Sequence, residues 1–171
     1  MKFAMTHHFD CTPEELWEIF ESREFDVRLE EETAVRREVL EESTDDNGVV
    51  HKKLRCISLK EMPGVMKKAI GSDHLEFEQT NELDLKESIL KWEVVTPFLT
   101  DRVEAGGTTR VDEAEGGGCT RNIQGEINIK LPLVGKKMEK KLSENLSESY
   151  EKAAGIARAM IAERQEEAVA E

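Results

Sequence analysis

The fold of this chain is decided by the stretch Cys119-Thr-Arg-Asn-Ile-Gln-Gly-Glu-Ile-Asn-Ile129 and by the segment that follows it, Lys130-Leu-Pro-Leu-Val-Gly135. The first has the pattern of a β-strand, and the second has the proline and glycine of a hinge. From the hinge onward, one apolar stripe with α-helical spacing continues nearly to the C-terminus: Leu131, Val134, Met138, Leu142, Leu146, Tyr150, Ala153, Ala157, Met160 and Ile161. We predict a long helix over about residues 132–166, which needs a partner surface roughly 45 Å long.

The residues before this stretch have the pattern of an antiparallel meander, which is a suitable partner for the helix. Thr12-Pro-Glu-Glu15 combines a capping threonine, a proline at the first helical position and a glutamate that closes a capping box, so a helix starts there. A second short helix is expected at about 23–31, and 60–71 is expected to be a loop with a helical turn. Predicted strands cover residues 2–10, 34–43, 49–59, 73–83, 86–96, 101–113 and 119–129.

These elements predict an α+β fold in one domain, residues 1–171. A curved antiparallel sheet of about seven strands, with two short helices after the first strand, wraps around the long C-terminal helix in this prediction. Glycines within strands often mark bends, so Gly106, Gly107 and Gly125 are expected to help the sheet curve. A sheet that grips one helix in this way leaves space for a pocket.

The composition limits the classes of partner. The net charge of −13 and the pI near 4.9 argue against a nucleic-acid partner. No segment approaches the roughly 18 uninterrupted apolar residues of a transmembrane helix, and the N-terminus lacks the apolar core of a signal peptide. Cys11, Cys56 and Cys119 are odd in number and widely spaced, which favours neither a disulfide framework nor a zinc site. The sequence therefore predicts a soluble, acidic, cytoplasmic protein.

The whole chain resembles the START-like, or helix-grip, superfamily, which includes lipid-transfer proteins, plant hormone receptors and polyketide cyclases. The resemblance is carried by the opening strand Lys2–Asp10, by the helix start Thr12-Pro-Glu-Glu-Leu-Trp17 and by Ile127-Asn-Ile-Lys-Leu-Pro-Leu-Val-Gly135. The chain is most similar to an uncharacterised bacterial branch with this Pro-Leu-Val-Gly hinge and a Met-Pro-Gly loop before the fourth strand. The resemblance implies a helix-grip fold whose pocket, between sheet and helix, binds a lipid or another apolar small molecule.

The predicted pocket residues share the inner face of the strands or the stripe of the helix: Met5, His7, Leu54, Phe77, Leu90, Trp92, Arg121, Ile123, Leu146, Tyr150, Ala153 and Ala157. Ala153 and Ala157 have small side chains, and Gly155 lies beside them. Such residues leave volume beneath the helix that larger ones would fill. The alternative is closer packing of the helix on the sheet. Gly155 costs about 1 kcal/mol relative to Ala, so close packing or a ligand-gating flexibility is expected to explain it.

Three of the pocket residues are polar and are expected to orient the ligand. Arg121 either meets a ligand carboxylate or phosphate or pairs with a glutamate of a strand. Tyr150 either offers its hydroxyl to the ligand or belongs to the core. His7 is either a polar group of the pocket or a partnered core histidine. Because His7 and His8 point to opposite faces of a strand, we predict no metal site, and the sequence indicates no cofactor.

Two lysine pairs stand out on so acidic a chain. One pair follows two apolar residues, and the other lies in the first turn of the long helix, where the helix dipole favours acidic side chains. The favoured interpretation is an ordinary solvated lysine face that is partly paired with Glu139 and Glu144. The alternative is a surface for transient contact with anionic lipid headgroups, formed by Val65, Met66, Lys67, Lys68, Lys136 and Lys137.

The favoured function is non-enzymatic binding, with transfer or sensing, of a lipid or other apolar small molecule. The sequence contains no nucleophile–base motif and no phosphate loop, so no catalytic residue is predicted. One alternative is an enzyme of the cyclase or aromatase kind, with His7 as its acid–base group. Another is a protein-interaction module, against which the charged residues Glu76, Glu78, Lys91 and Glu93 of the outer sheet face argue.

Overall fold

The computed structural model describes residues 1–96 and 101–170. Its elements are β1 (Lys2–Phe9), α1 (Pro13–Phe20), α2 (Arg23–Thr33), β2 (Val35–Thr44), β3 (Val50–Ser58), α3 (Gly64–Ile70), β4 (Glu76–Asp84), β5 (Ile89–Val95), β6 (Val103–Glu113), β7 (Cys119–Ile129) and α4 (Gly135–Ala170). The strands form one seven-stranded sheet in the order β1-β7-β6-β5-β4-β3-β2, with every pair antiparallel. The predicted α+β class, the curved antiparallel sheet and the long C-terminal helix of a helix-grip fold are confirmed.

The helices α1 and α2 both begin at side-chain caps. Thr12 Oγ1 accepts a hydrogen bond from the Glu15 backbone N–H at 3.2 Å, and Glu15 Oε2 accepts one from the Thr12 N–H at 3.3 Å. This is the predicted capping box. Ser22 Oγ accepts from the Phe25 N–H at 3.2 Å at the start of α2. Each cap satisfies backbone donors that the helix itself leaves unpaired.

The segment before β4 differs from the predicted loop with a single turn, because it contains the seven-residue helix α3. No side chain caps its N-terminus, and Gly71 ends it with a φ of 74°. Met66 and Ile70 lie four residues apart and pack against an apolar cluster at the start of α4. Burial of this face explains the helix, since so short a segment has little helical stability of its own.

Two glycines of the inner sheet face leave room for the indole ring of Trp92. Trp92 pairs with Gly107 in β6, and Gly107 pairs with Gly125 in β7. The indole ring stacks on Phe3 of β1 with a centroid distance of 6.2 Å. A Cβ on Gly107 or on Gly125 would lie within 2.9 Å of Trp92 Cζ2. The glycines therefore let one large ring lie across two strands.

Apolar side chains between the sheet and the helices form two clusters. The first is closed by α1, α2 and the second half of α4, and contains Phe9, Cys11, Leu16, Trp17, Ile19, Phe25, Leu83, Val111, Cys119, Ala153, Ala154, Ile156, Ala157, Met160 and Ile161. The second surrounds the first half of α4 and contains Val103, Ile127, Ile129 and Met138, with Met66, Ile70, Leu142 and Leu146 half-buried against it. The middle of α4, residues 147–152, lies between the clusters.

Gly155 does not serve close packing. It is exposed, and a Cβ built on it would meet no atom within 4 Å. The residues that allow the close approach of α4 are Ala154 and Ala157, both 0 % exposed. Close packing, one of the two explanations expected from the sequence, is therefore wrong for this glycine.

Candidate functional site

The inner face of the sheet is incompletely covered between the two apolar clusters. Met5, Phe77 and Tyr150 are only half-buried there and belong to neither cluster. The backbone of α4 packs against α2, β7, α1 and β1, and among the described residues no comparable packing joins it to β3, β4 or β5. The middle of α4 therefore stands away from the central strands and leaves apolar surface unburied beneath it.

The structure places the predicted pocket residues on this side of the sheet. Ala153 and Ala157 lie in the first cluster, 7 % and 0 % exposed, and Leu90 packs against it. Leu146 packs against the second cluster. The other predicted apolar residues belong to neither cluster: Met5, Leu54, Phe77, Trp92, Ile123 and Tyr150. The polar pair, His7 and Arg121, completes the region.

Arg121 of β7 is a buried cation on the inner face, 3 % exposed. Its Nη2 donates to His7 Nδ1 at 3.1 Å and to the Tyr150 carbonyl oxygen at 3.2 Å. In the described part of the chain no carboxylate forms an ion pair with it, and Glu151 bonds His7 instead. The pairing with a strand glutamate that the sequence left open is not what the structure shows.

Aromatic rings surround the Arg121 guanidinium. Its Cζ lies 4.8 Å from the ring centroid of Phe20 and 5.5 Å from those of Phe9 and Tyr150. Each cation–π contact contributes about 0.5–2 kcal/mol. Burial lowers the pKa of Arg121 to about 10, so the side chain remains charged at neutral pH. The aromatic rings and two hydrogen bonds therefore offset only part of the desolvation of the cation, and none of the described carboxylates pairs with it.

Three side-chain donors on the inner face lack acceptors among the described residues. They are Arg121 Nε, Trp92 Nε1 and Arg37 Nε, and the Arg37 side chain also pairs with Asp26. Buried polar groups in folded proteins nearly always have a partner, and an unpaired group costs about 1–3 kcal/mol. The sequence pattern indicated Arg121 and Trp92 from their position on the inner face, missed Arg37, and gave no signal for the unpaired nitrogens. Acceptor atoms of a bound molecule suit this region.

His7 is a partnered core histidine. Because Arg121 is a donor, His7 accepts at Nδ1 and carries its proton on Nε2, which donates to Glu151 Oε1 at 2.9 Å. Burial lowers the pKa of His7, and the hydrogen bond to Glu151 opposes that shift. Both ring nitrogens are therefore engaged within the protein, and neither is free to accept a proton from a bound molecule.

The three cysteines are buried free thiols. Burial raises the pKa of Cys56 to about 11 and that of Cys11 to about 12, and it also raises the pKa of Cys119. A thiol with a raised pKa is a poor nucleophile at neutral pH. These residues therefore behave as small apolar side chains.

The predicted docking residues lie on α3 and at the start of α4. Val65 is 70 % exposed, whereas Met66 is half-buried against the second cluster. Lys67 lies 3.8 Å from Asp73. Over residues 1–96 and 101–170, no ion pair involves the other predicted docking lysines: Lys68, Lys136 and Lys137.

Sequence reasoning missed Leu133 in the hinge. This residue is fully exposed and has a φ of 68°, a left-handed conformation that is rare for a leucine. Its neighbours Leu131 and Val134 pack against the second cluster, as does α3. Leu133 therefore lies at the same end of the molecule as the predicted docking lysines. The signal in the sequence that could have indicated this residue is that Leu133 lies outside the apolar stripe of the long helix.

Two concavities lie elsewhere on the surface. One of about 530 Å³ opens on the sheet face opposite α4, where its lining includes Glu93, Glu104 and Glu126. The other, about 140 Å³, lies between α1 and the end of α4 beside Cys11. Trp92 is the one predicted pocket residue in either lining. Three carboxylates make the larger concavity unsuitable for an apolar molecule.

A family model described as "Protein of unknown function (DUF2505)" matches residues 4–161. The chain belongs to this family. The matched range extends from β1 to the last buried residue of α4, Ile161. The DUF2505 model thus covers nearly the whole sheet, the short helices and every buried residue of α4. A search of curated proteins gives no significant match.

Several solved structures are similar to this DUF2505 chain. TTHA0849 from Thermus thermophilus is 14% identical with a TM-score of 0.65, over 93% of this chain and 95% of that one. The Zhui aromatase/cyclase from Streptomyces sp. R1128 is 10% identical with a TM-score of 0.68, over 96% and 94%. The di-domain ARO/CYC StfQ of the steffimycin biosynthetic pathway is 14% identical with a TM-score of 0.65, and this chain spans 96% of itself and 51% of StfQ. These similarities show a shared helix-grip fold.

The described helices include none that is both long enough and apolar enough to cross a membrane. Nor do His, Cys, Asp and Glu side chains gather, within residues 1–96 and 101–170, into a group of three or more that could hold a metal ion.

Proposed function

We propose that this chain binds an apolar small molecule, such as a lipid, between the inner face of the sheet and the middle of α4. The observation that carries the proposal is the half-buried surface of Met5, Phe77 and Tyr150 between two closed apolar clusters. Each Å² of apolar surface that a ligand removes from water there contributes about 25 cal/mol. The similarity to aromatase/cyclase structures supports the binding of a small molecule by this fold.

In this proposal the pocket has apolar walls, one closed end and one end covered by α3. Ala153 and Ala157 belong to the closed end, and Leu146 and Met66 belong to the covered end. The walls between them are Met5, Leu54, Phe77, Leu90, Trp92, Ile123 and Tyr150. Three free, buried cysteines fit a reducing compartment such as the cytoplasm.

Binding without catalysis fits the site better than cyclase-like chemistry. An acid–base catalyst must exchange a proton with the substrate. Both nitrogens of His7, the residue expected for that role, bond to Arg121 and Glu151. The thiols are protonated and buried. The proposed function is therefore that of a carrier or sensor.

The test begins with protein purified from its own cells. Native mass spectrometry and organic extraction are expected to reveal a bound lipid or similar apolar molecule. After delipidation, the protein is titrated with dodecanol, with Trp fluorescence as the signal. Leu146→Trp narrows the space and is expected to weaken dodecanol binding about 10-fold or more. The matched control Leu85→Trp, on an exposed turn, keeps wild-type binding. Protein that is purified without a bound apolar molecule and that also fails to bind dodecanol would contradict the proposal.

A membrane contact supplies the ligand in this scheme. We propose that Leu133 and Val65 insert at the acyl boundary while Lys67, Lys68, Lys136 and Lys137 meet anionic headgroups, each contributing about 1 kcal/mol. Support comes from the full exposure of Leu133 and the 70 % exposure of Val65. Both lie near the end of the pocket that α3 covers.

Liposome flotation tests this contact. Vesicles with 30–40% anionic lipid, roughly the content that gives a strong surface potential, are expected to carry the wild-type protein. Changing the four docking lysines to Gln is expected to reduce the floated fraction at least 5-fold, and Leu133→Ser to reduce it further. The control variant changes Lys86 and Lys91, away from this end, to Gln, and it is compared with a variant in which only Lys67 and Lys68 become Gln. Equal flotation of all variants would rule out the contact.

A further inference from the structure

We infer that the bound molecule is an amphiphile with a single carboxylate head, and that Arg121 holds this head at one end of the pocket. The inference rests on the proposed function and narrows its ligand class. The ligand carboxylate is then the counterion of Arg121, which the described residues of the protein do not supply.

The charge of Arg121 has no ionic partner in the described part of the chain. Arg121 is 3 % exposed, and none of the carboxylates in the described ranges pairs with it. Glu151, the carboxylate next along α4 from Tyr150, is engaged by His7 and is itself 66% exposed. Taking a charge out of water without an ionic partner is unfavourable unless other groups compensate. A ligand oxyanion beside the guanidinium would complete the pair.

The hydrogen bonds of the Arg121 guanidinium to the described residues are concentrated on one nitrogen. Nη2 has two acceptors, His7 Nδ1 and the Tyr150 carbonyl oxygen. Nε is buried and has none. Nη1 makes no hydrogen bond to any described residue. Because both protein acceptors bond the same nitrogen, the donors on the other two are left for a ligand, and carboxylate oxygens are strong acceptors for arginine donors.

The guanidinium also borders the proposed pocket. Arg121 lies against the half-buried Tyr150 ring, and its cross-strand partner His7 is two residues from Met5 on the same face of β1. The cation is thus continuous with the apolar surface of the proposed pocket. A head at Arg121 directs an alkyl chain past Met5 toward Phe77 and the second cluster. This end-to-end polarity suits an amphiphile with one charged end.

Arg121 also joins the sheet to α4 through the Tyr150 carbonyl, and a purely structural role would predict no preference for ligand charge. The two roles are separated with probes of equal chain length: dodecanoate, dodecanol and dodecyl phosphate. Delipidated wild-type protein at pH 7.5 is titrated with each probe by calorimetry. One charge-assisted hydrogen bond to a buried cation is expected to make dodecanoate bind about 10- to 100-fold more tightly than dodecanol.

Variants then test whether Arg121 causes the preference for dodecanoate over dodecanol. Arg121→Gln is expected to bring the dodecanoate-to-dodecanol affinity ratio close to one. The matched control is Arg158→Gln, an exposed arginine 5.2 Å from the Phe9 ring that bonds the His8 carbonyl, and it keeps the wild-type ratio. If Arg121→Gln does not fold, the dodecanoate-to-dodecanol affinity ratio of the wild-type protein still tests the carboxylate head, because that comparison needs no variant. Arg121→Lys is then measured in place of Arg121→Gln.

The outcomes separate this inference from the proposed function. Binding of neither dodecanol nor dodecanoate would overturn both. Equal affinity for the two would overturn the carboxylate head and leave the apolar pocket in place. Tighter binding of dodecyl phosphate than of dodecanoate would overturn the carboxylate class in favour of a phosphate head. A dodecanoate preference that Arg121→Gln retains would remove Arg121 from the site.

Discussion

Replacing Gly107 with alanine is expected to lower the free energy of unfolding by more than about 3 kcal/mol. A Cβ at this position would lie 2.1 Å from the Gln124 backbone oxygen and 2.7 Å from Gly125 Cα. Both atoms belong to the backbone of β7, so relief requires the separation of β6 from β7. The added methyl would also displace Trp92, whose Cζ2 would lie 2.8 Å away. Urea denaturation followed by Trp fluorescence and far-UV circular dichroism measures the effect.

Gly155→Ala is the matched control, because it makes the same chemical change on an exposed helix surface. No atom lies within 4 Å of a Cβ at Gly155. Alanine is favoured over glycine in a helix by about 0.8–1 kcal/mol, so this variant is expected to be more stable than the wild type. Opposite signs for the two substitutions would support the packing described for Gly107. A loss below about 1 kcal/mol for Gly107→Ala would contradict it.

Phe9→Ala is expected to lower the free energy of unfolding by about 3–5 kcal/mol. Phe9 is 1 % exposed and contacts Phe20 edge-to-face with a centroid distance of 6.1 Å. The substitution leaves a cavity in the first cluster and removes one wall around Arg121, 5.5 Å away. For a chain of this length the melting temperature is expected to fall by roughly 6–20 °C, as measured by thermal denaturation.

Phe9→Leu separates the two contributions. Leucine retains most of the apolar volume and loses the aromatic face, so its expected cost is about 1–2 kcal/mol. A cost for Phe9→Leu equal to that for Phe9→Ala would assign the effect to the lost aromatic face. A cost below about 1 kcal/mol for Phe9→Ala would show that the first cluster does not depend on this ring.

The site combines a charge with an apolar surface in a way that individual residues do not reveal. In the sequence His7 was a candidate acid–base group. In the structure its Nδ1 accepts a hydrogen bond from Arg121 and so helps to position that side chain. For Arg121 the sequence left open a ligand anion or a strand glutamate as partner, and in the structure aromatic rings surround it. The proposed function therefore depends on the arginine more than on the histidine.

Local signals in the sequence were enough to predict most elements. The capping box of Thr12 and Glu15 satisfies backbone donors within one turn, so a few adjacent residues define the start of α1. Alternating residues defined the strands, and the apolar stripe defined α4, because both patterns follow from the geometry of a single element. The segment at α3 was underpredicted, since its helix depends on burial of Met66 and Ile70 against distant residues.

The sequence by itself determined the α+β class, the strand order along the chain and the face of each element that turns inward, because these follow from periodicity and short-range hydrogen bonds. Only the tertiary structure decided what the inward residues meet. It placed Ala153 and Ala157 in a closed cluster, left Gly155 in solvent, and gave Arg121 aromatic neighbours without a carboxylate. The physical reason is that such contacts join residues far apart in the chain, and the space between α4 and the central strands depends on how several elements pack at once.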